Sequence, residues 1–320
     1  MMEEEIKKFP EQFHFEPEIT HREKLSSWTD VVVAGMGGSA LGARLITAVY
    51  PEWPIRIHND YDLPQRLTAK EFIIASSYSG NTEETISAYE EARNKGLSLA
   101  AISIGGKLLT LADHDQSPYI KIPDTNIQPR MALGFNIIAT LGILGKIEEM
   151  ETVRQTGSKF KADDLKDEGK NLAETLRDRT PVFYASNRNQ ALAYIVKIKF
   201  NETGKIPAFM NVLPELNHNE MTGFDRLPGS AALSEKFTIV FIEDEEDNEK
   251  IRNRFTLTRK ILESRGLPCK TIKLQGGNRW EKIFNLSLIS DWGAFYTGRM
   301  VGADPETVPM VEDFKKQLHH

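Results

Sequence analysis

The sequence predicts an α/β protein built from two doubly wound domains, each a parallel sheet flanked by helices. Three observations carry the prediction. Short apolar runs alternate with helical stretches through both halves of the chain, the pattern of βα units. The run Phe72–Ala75 is apolar throughout rather than alternating, as strands covered on both faces are. A length of 320 residues gives room for two domains of ordinary size, each burying its own core.

Residues 1–29 are charged and irregular and read as a surface arm or a first helix. Asp30–Ala34 is a strand, Gly35–Ser39 a glycine-rich turn, and Ala40–Tyr50 a helix. Ile55–His58 is a second strand. Phe72–Ala75 is a third, followed by the loop Ser76–Thr82 and a helix from Glu83 to about Lys95. Leu99–Ile104 is a strand closed by Gly105 and Gly106. Pro129 to about Lys146 reads as one longer helix, with proline at a favoured first-turn position. The stretch 150–180 is charged and helical, and the boundary falls at its start, giving domains 1–150 and 151–320. In the second half the predicted strands are Pro181–Ala185, Phe237–Ile242 and Lys270–Leu274. The helices are Gln190–Glu202, Glu249–Arg265, Trp280–Val301 and, last, Val308–Leu318.

Composition excludes several classes of function. A net charge of −6 argues against a nucleic-acid partner, which calls for a basic face. Cys269 is the only cysteine, so there is no intrachain disulfide and no cysteine-rich metal site. Seven scattered histidines lack ligand spacing, so no metal is expected. The start, MMEEEIKKF, lacks the apolar core of a signal peptide, and the apolar stretch Met131–Gly145 is too short to span a membrane. A cytoplasmic protein is the expectation. His319 and His320 read as the remnant of an expression tag and are given no function.

Two loops in the first half carry the chemistry. Ser76-Ser77-Tyr78-Ser79-Gly80-Asn81-Thr82 breaks from a buried strand and feeds a helix N-terminus, which offers unpaired N–H groups and a partial positive charge. The hydroxyls of Ser77, Ser79 and Thr82 can donate to phosphate oxygens, and Gly80 permits close approach of the backbone. An ordinary helix cap is the competing explanation, but a cap needs only one hydroxyl. The other loop, Gly35-x-Gly37-x-x-Ala40, also fits a dinucleotide fingerprint, with Asp60 following the next strand, and so allows an NAD(P)-dependent dehydrogenase. That alternative leaves the serine–threonine loop without a role. Gly37, Gly38 and Ser39 suit a phosphate or sugar equally well, and two such loops on one sheet point to a single phosphorylated ligand bearing hydroxyls.

The segments VVVAGMGGSALG, SSYSGNTEET, PRMALG, KFNETGK, PELNHNE and DPETVPMVEDFKKQL resemble, in order, those of the bifunctional phosphoglucose/phosphomannose isomerase family. They run from residue 31 to the C-terminus. SYSGNTEE is shared by many sugar isomerase (SIS) domains, including non-catalytic phosphosugar-binding regulators. NETGK with NHNE downstream is the more specific pair. The resemblance implies two SIS domains, isomerisation of glucose 6-phosphate, and of mannose 6-phosphate, with fructose 6-phosphate through an enediol(ate), and no cofactor. It also implies a homodimer in which the histidine is contributed across the interface.

The resemblance assigns residues to these steps. Gly37, Gly38, Ser39, Ser77, Ser79 and Thr82 bind the phosphate. Glu202 is the base that moves a proton between C1 and C2. It lies in the last turn of its helix, with Gly204 as the C-cap, where the helix end favours proton uptake and Lys197, Lys199 and Lys205 oppose it. By itself the sequence favours a solvated glutamate on a charged helix end, and the resemblance reverses that. His218 shuttles the ring proton, with Glu215 or Glu220 to orient it. Arg130 is badly placed for a helix dipole and well placed to face an enediolate; the alternative is a solvated arginine. Lys315, or Lys316 one residue on, matches the family's ring-opening lysine. Thr307 and Thr297 both remain open as the threonine linked to acceptance of both C2 epimers. A regulator would need neither Glu202 nor His218.

Overall fold

The structure is a computed structural model and describes residues 2–68 and 70–318; His319 and His320 lie outside them. The chain divides into two compact units. One is Lys7–Lys161, and the other runs from Ala162 onward and takes in the N-terminal residues through Ile6.

The first unit holds a six-stranded sheet of β1 (Ile19–Thr20), β2 (Asp30–Ala34), β3 (Ile55–His58), β4 (Glu71–Ser76), β5 (Ser98–Ser103) and β6 (Tyr119–Lys121), in the order β1-β6-β5-β4-β2-β3. All neighbours are parallel except β1, which pairs antiparallel with β6. Strand alternation sends Val31, Val33, Phe72 and Ile74 to one face, where they pack with Ala43, Phe135, Ala139 and Ile143. Val32, Ala34, Ile73 and Ala75 pack on the other face with Ala88, Tyr89, Ala92 and Leu108. Helices Leu41–Val49 and Leu133–Ile143 therefore cover one side, and Glu83–Asn94 and Gly106–His114 the other. Because neither face meets water, these strands read as continuous apolar runs.

The second unit holds four parallel strands, β7 (Thr180–Ser186), β8 (Phe209–Leu213), β9 (Phe237–Glu243) and β10 (Cys269–Lys273), in the order β10-β9-β7-β8. Val182, Tyr184, Ile239 and Phe241 pack with Phe255 and Leu262 of helix Glu249–Ser264. On the opposite face Phe183 meets Phe200 of helix Gln190–Glu202. Helix Arg279–Met300 packs against that helix and against Lys166–Thr175. Gly169 permits the latter approach, since a Cβ there would lie 2.3 Å from Trp292 Cβ.

Several elements depart from the sequence expectation. The first unit extends past residue 150 because helix Ile147–Gly157 packs back onto it: Val153 is buried, and a Cβ on Gly157 would sit 2.4 Å from the Phe13 ring. The helix expected over Pro129–Lys146 is broken into a 3-10 turn, Pro129–Met131, and helix Leu133–Ile143. Strands β1, β6 and β8 and helix Gly106–His114 were not expected. Gly106, which with Gly105 closes the preceding strand, also opens that helix with φ +70°. The N-terminal arm is anchored, with Met2 and Ile6 buried. Among the described residues no helix is long and apolar enough to cross a membrane.

Lys199 was expected to act on Glu202 through its charge. It is instead 1% exposed and donates to Asp291 Oδ2 at 2.7 Å and to Ser287 Oγ at 2.6 Å. Breaking such a pair leaves an uncompensated buried charge, which costs about 3–5 kcal/mol. Asp291→Ala is therefore expected to lower the free energy of unfolding, read from the midpoint and slope of a urea titration, by an amount in that range. An unchanged midpoint would mean that Lys199 finds water or another acceptor.

Candidate active site

In the first unit the chain leaves β2 for β3 on one side and returns to place β4 on the other. The loops after β2 and β4 therefore diverge to opposite faces and open a crevice at the strands' carboxyl ends, the position where open α/β sheets take ligands. Both hydroxyl- and glycine-rich loops lie there. Gly35 packs against the end of β4, where a Cβ would come within 2.6 Å of Ser76 O. Gly37 has φ +48° and starts a 3-10 turn, Gly37–Ala40, that leads into helix Leu41–Val49. A Cβ on Gly38 would lie 2.6 Å from Arg130 N.

The two loops are stitched together. Ser76 Oγ donates to Ser39 O at 2.9 Å, and Tyr78 N donates to Ser39 Oγ at 2.8 Å. Gly80 N donates to Ser77 Oγ at 3.1 Å, and the Ser77 and Thr82 hydroxyls lie 2.9 Å apart. Asn81 N donates to Ser79 Oγ at 3.3 Å. Thr82 stands at the N-cap of helix Glu83–Asn94 yet its side chain makes no capping bond, so this loop is not the ordinary hydroxyl cap that the sequence allowed. Glu83 and Glu84 already offset the positive end of the helix dipole, so the hydroxyl cluster is the stronger argument for an anion here. Gly80 (φ +71°) and Asn81 hold the loop: Asn81 Oδ1 accepts from Lys107 N at 3.0 Å.

Arg130 lies in the 3-10 turn against Gly38 and is 1% exposed, so it is not the solvated arginine that the sequence also allowed. Its Nη1 donates to Gln128 Oε1 at 3.4 Å. Asp60, the acidic residue of the dinucleotide fingerprint, is exposed and accepts from Tyr61 N at 2.8 Å.

In the second unit Glu202 is half-buried at the end of helix Gln190–Glu202. Thr203 N and Gly204 N both donate to Lys199 O, at 2.8 and 3.1 Å. Asn201 Nδ2 donates to Ile206 O and Ala208 O, pinning the chain that returns toward β8. Lys205 Nζ donates to the carbonyls of Glu202 and Thr307. His218 is exposed at the end of a 3-10 turn, Glu215–His218, that follows a cis Leu213–Pro214 bond.

Neither carboxylate expected to orient His218 is bonded to it. Glu215 Oε1 accepts from Asn219 at 2.7 Å, while Glu220 accepts from Tyr184 Oη and Asn211 Nδ2, each at 2.6 Å. Burial and the Glu220 carboxylate push the Tyr184 hydroxyl well above its ordinary pKa, so it remains a neutral donor. This anchor on β7 was not foreseen. Lys315 and Lys316 are both exposed on helix Pro309–Leu318, and Lys316 lies 3.6 Å from Asp313. Thr297 is buried and its hydroxyl donates to Gly293 O at 2.8 Å, whereas Thr307 is exposed. Among the described residues no group of three or more His, Cys, Asp or Glu is placed to hold a metal ion.

The Gly38 contact makes a test of the crevice. In Gly38→Ala the new methyl meets the Pro129–Arg130 backbone, and overpacking of this kind costs about 1–3 kcal/mol. The stabilisation of the fold by inorganic phosphate, read from thermal melts, is expected to shrink in the variant. Equal phosphate response in both proteins would separate the crevice from anion binding.

Residues 165–318 match the family model described as the bacterial phospho-glucose isomerase C-terminal SIS domain. The chain is 33% identical over 339 residues to the bifunctional phosphoglucose/phosphomannose isomerase of Caldicellulosiruptor bescii, covering 99% of this chain and 98% of that protein. It is 32% identical to the enzyme of the same name from Thermoplasma acidophilum, over 98% of this chain and 96% of that one. Tagatose-6-phosphate ketose/aldose isomerase from Escherichia coli shares the fold, with a TM-score of 0.70 at 15% identity over 96% of this chain and 95% of that structure. With a third of its residues identical over nearly the whole of both chains, this protein belongs to the bifunctional phosphoglucose/phosphomannose isomerase family.

Proposed function

We propose that the chain is an aldose–ketose isomerase that interconverts glucose 6-phosphate and mannose 6-phosphate with fructose 6-phosphate through an enediol(ate). The observation that carries the proposal is the crevice between β2 and β4. It joins two glycine-bearing loops, a cluster of hydroxyls and a buried arginine, in a chain of this family. Gly37, Gly38, Ser39, Ser77, Ser79 and Thr82 hold the 6-phosphate. Binding energy from that remote group orients the reacting carbons. Arg130, already desolvated, stabilises negative charge as the enediolate forms. Glu202 takes the proton from C2 or C1 and returns it to the neighbouring carbon, while His218 and Lys315 serve ring opening. The protein acts in the cytoplasm as a homodimer, each copy lending His218 to the other; the exposure of His218 on a firmly anchored loop supports this.

Purified protein given fructose 6-phosphate should yield both aldose phosphates. Ser77→Ala combined with Thr82→Ala removes two charge-assisted hydrogen bonds, each worth about 1.5–3 kcal/mol. The double variant should stay folded and raise KM at least about tenfold; an unchanged KM would reduce the loop to a structural turn.

Glu202→Gln keeps the shape but cannot accept a proton, and loss of a general base costs about 10²–10⁴ in rate. Turnover should fall at least about a hundredfold, while affinity for 6-phosphogluconate stays level. Surviving turnover would move the base elsewhere.

A further inference from the structure

Lys205, which the sequence marks only as a charge opposing proton uptake by Glu202, ends the NETGK turn. It adopts φ +55°, a left-handed conformation that a lysine does not prefer and a glycine would take freely. Its side chain explains why a lysine stands there. A helix C-terminus leaves carbonyls without partners, and Lys205 Nζ reaches back to one of them, Glu202 O. The same ammonium donates to Thr307 O, 102 residues away in sequence.

Other contacts seat the two ends of this bridge. A Cβ on Gly298 would come within 2.5 Å of Thr203 O and 3.6 Å of Pro305 Cγ, so the turn and the Pro305 segment both rest on one point of helix Arg279–Met300. Pro305 is buried, and Glu306 Oε1 accepts from Met2 N at 2.5 Å. The segment 305–307 is thus pinned on both sides before the chain enters helix Pro309–Leu318.

We propose that Lys205 is a positioning residue, which holds the turn carrying Glu202 in fixed relation to the Pro305–Thr307 segment. The inference rests on Glu202 being the base. A misplacement of about 1 Å in a reacting group can cost roughly a hundredfold in rate, so the bridge acts on turnover and, because the two aldose products differ only in the face of C2 to which the proton returns, on their ratio, not on phosphate binding.

The test compares Lys205→Met, Lys205→Gly and Lys205→Arg with the wild type and with Glu202→Gln. Lys205→Met removes the ammonium and keeps the left-handed backbone strained, whereas Lys205→Gly removes the ammonium and relaxes the backbone, so the pair separates the two contributions. Lys205→Met and Lys205→Gly are both expected to lower kcat about ten- to a hundredfold with KM for fructose 6-phosphate unchanged, and to shift the glucose-to-mannose product ratio. Lys205→Arg, which retains a cation, should recover part of the turnover. Wild-type turnover and product ratio in Lys205→Gly, or a rise in KM with kcat intact, would overturn the proposal while an inactive Glu202→Gln upheld the base. An active Glu202→Gln would overturn both.

Discussion

The reversal of strand order between β2 and β4 is the constraint on which the first unit depends. Two parallel neighbours send their chains to opposite faces of the sheet, so their loops must part, and the gap lies where backbone N–H groups point outward. The residues lining the gap follow from its narrowness. A side chain at Gly35 would strike the end of β4, and one at Gly38 would displace the turn that carries Arg130. Small hydroxyls fill what remains, and they bond to one another and to the opposite loop, so the cluster is organised before any ligand arrives. Such preorganisation lowers the cost of ordering an anion site on binding.

The second unit repeats the strand plan with different chemistry. Its strand order also reverses, between β7 and β9, yet the residues beyond those strands are charged rather than small. Asp244 is buried and accepts from Arg279 Nη1 and Lys282 Nζ, each at 2.8 Å, while Glu246 accepts from Lys282 Nζ at 2.8 Å and from Arg188 Nη2 at 2.5 Å. Arg188 and Lys282 pull the Glu246 carboxyl down to about 2. There the chain supplies its own anions to its own cations. The contrast shows why topology marks a place for a ligand and side chains decide what, if anything, goes there.

The parts of the fold legible in the sequence were those fixed by local pattern. Apolar runs such as Phe72–Ala75 read as covered strands, and Gly35–Ala40 and Ser76–Thr82 announced turns by composition alone. What stayed hidden depended on distant partners. Lys199 looked like a surface charge beside Glu202, and only helix Arg279–Met300, 92 residues on, reveals Asp291 as its counter-ion. The approach of the Arg130 turn to Gly38 is likewise a distant contact, which no periodicity reveals. Glu220 was a plausible partner for its neighbour His218 until β7 brought Tyr184 to it. The short strands β1 and β6 and the partly exposed β8 lack the continuous apolar signature of the central strands. At the candidate site, the residue types of the phosphate anchor were readable because each loop is contiguous. The setting of Glu202, including the Lys205 bridge, was not.

On the proposed function the chain moves a proton between adjacent carbons of a phosphosugar held by its phosphate. The most direct measurement runs the reaction in heavy water from fructose 6-phosphate and follows the products by proton and carbon NMR. Deuterium is expected at C2 of both glucose 6-phosphate and mannose 6-phosphate, carried there by a base that exchanges with solvent, with no comparable conversion of unphosphorylated fructose. Fructose 6-phosphate bound yet left unconverted, or converted as readily without its phosphate, would contradict it.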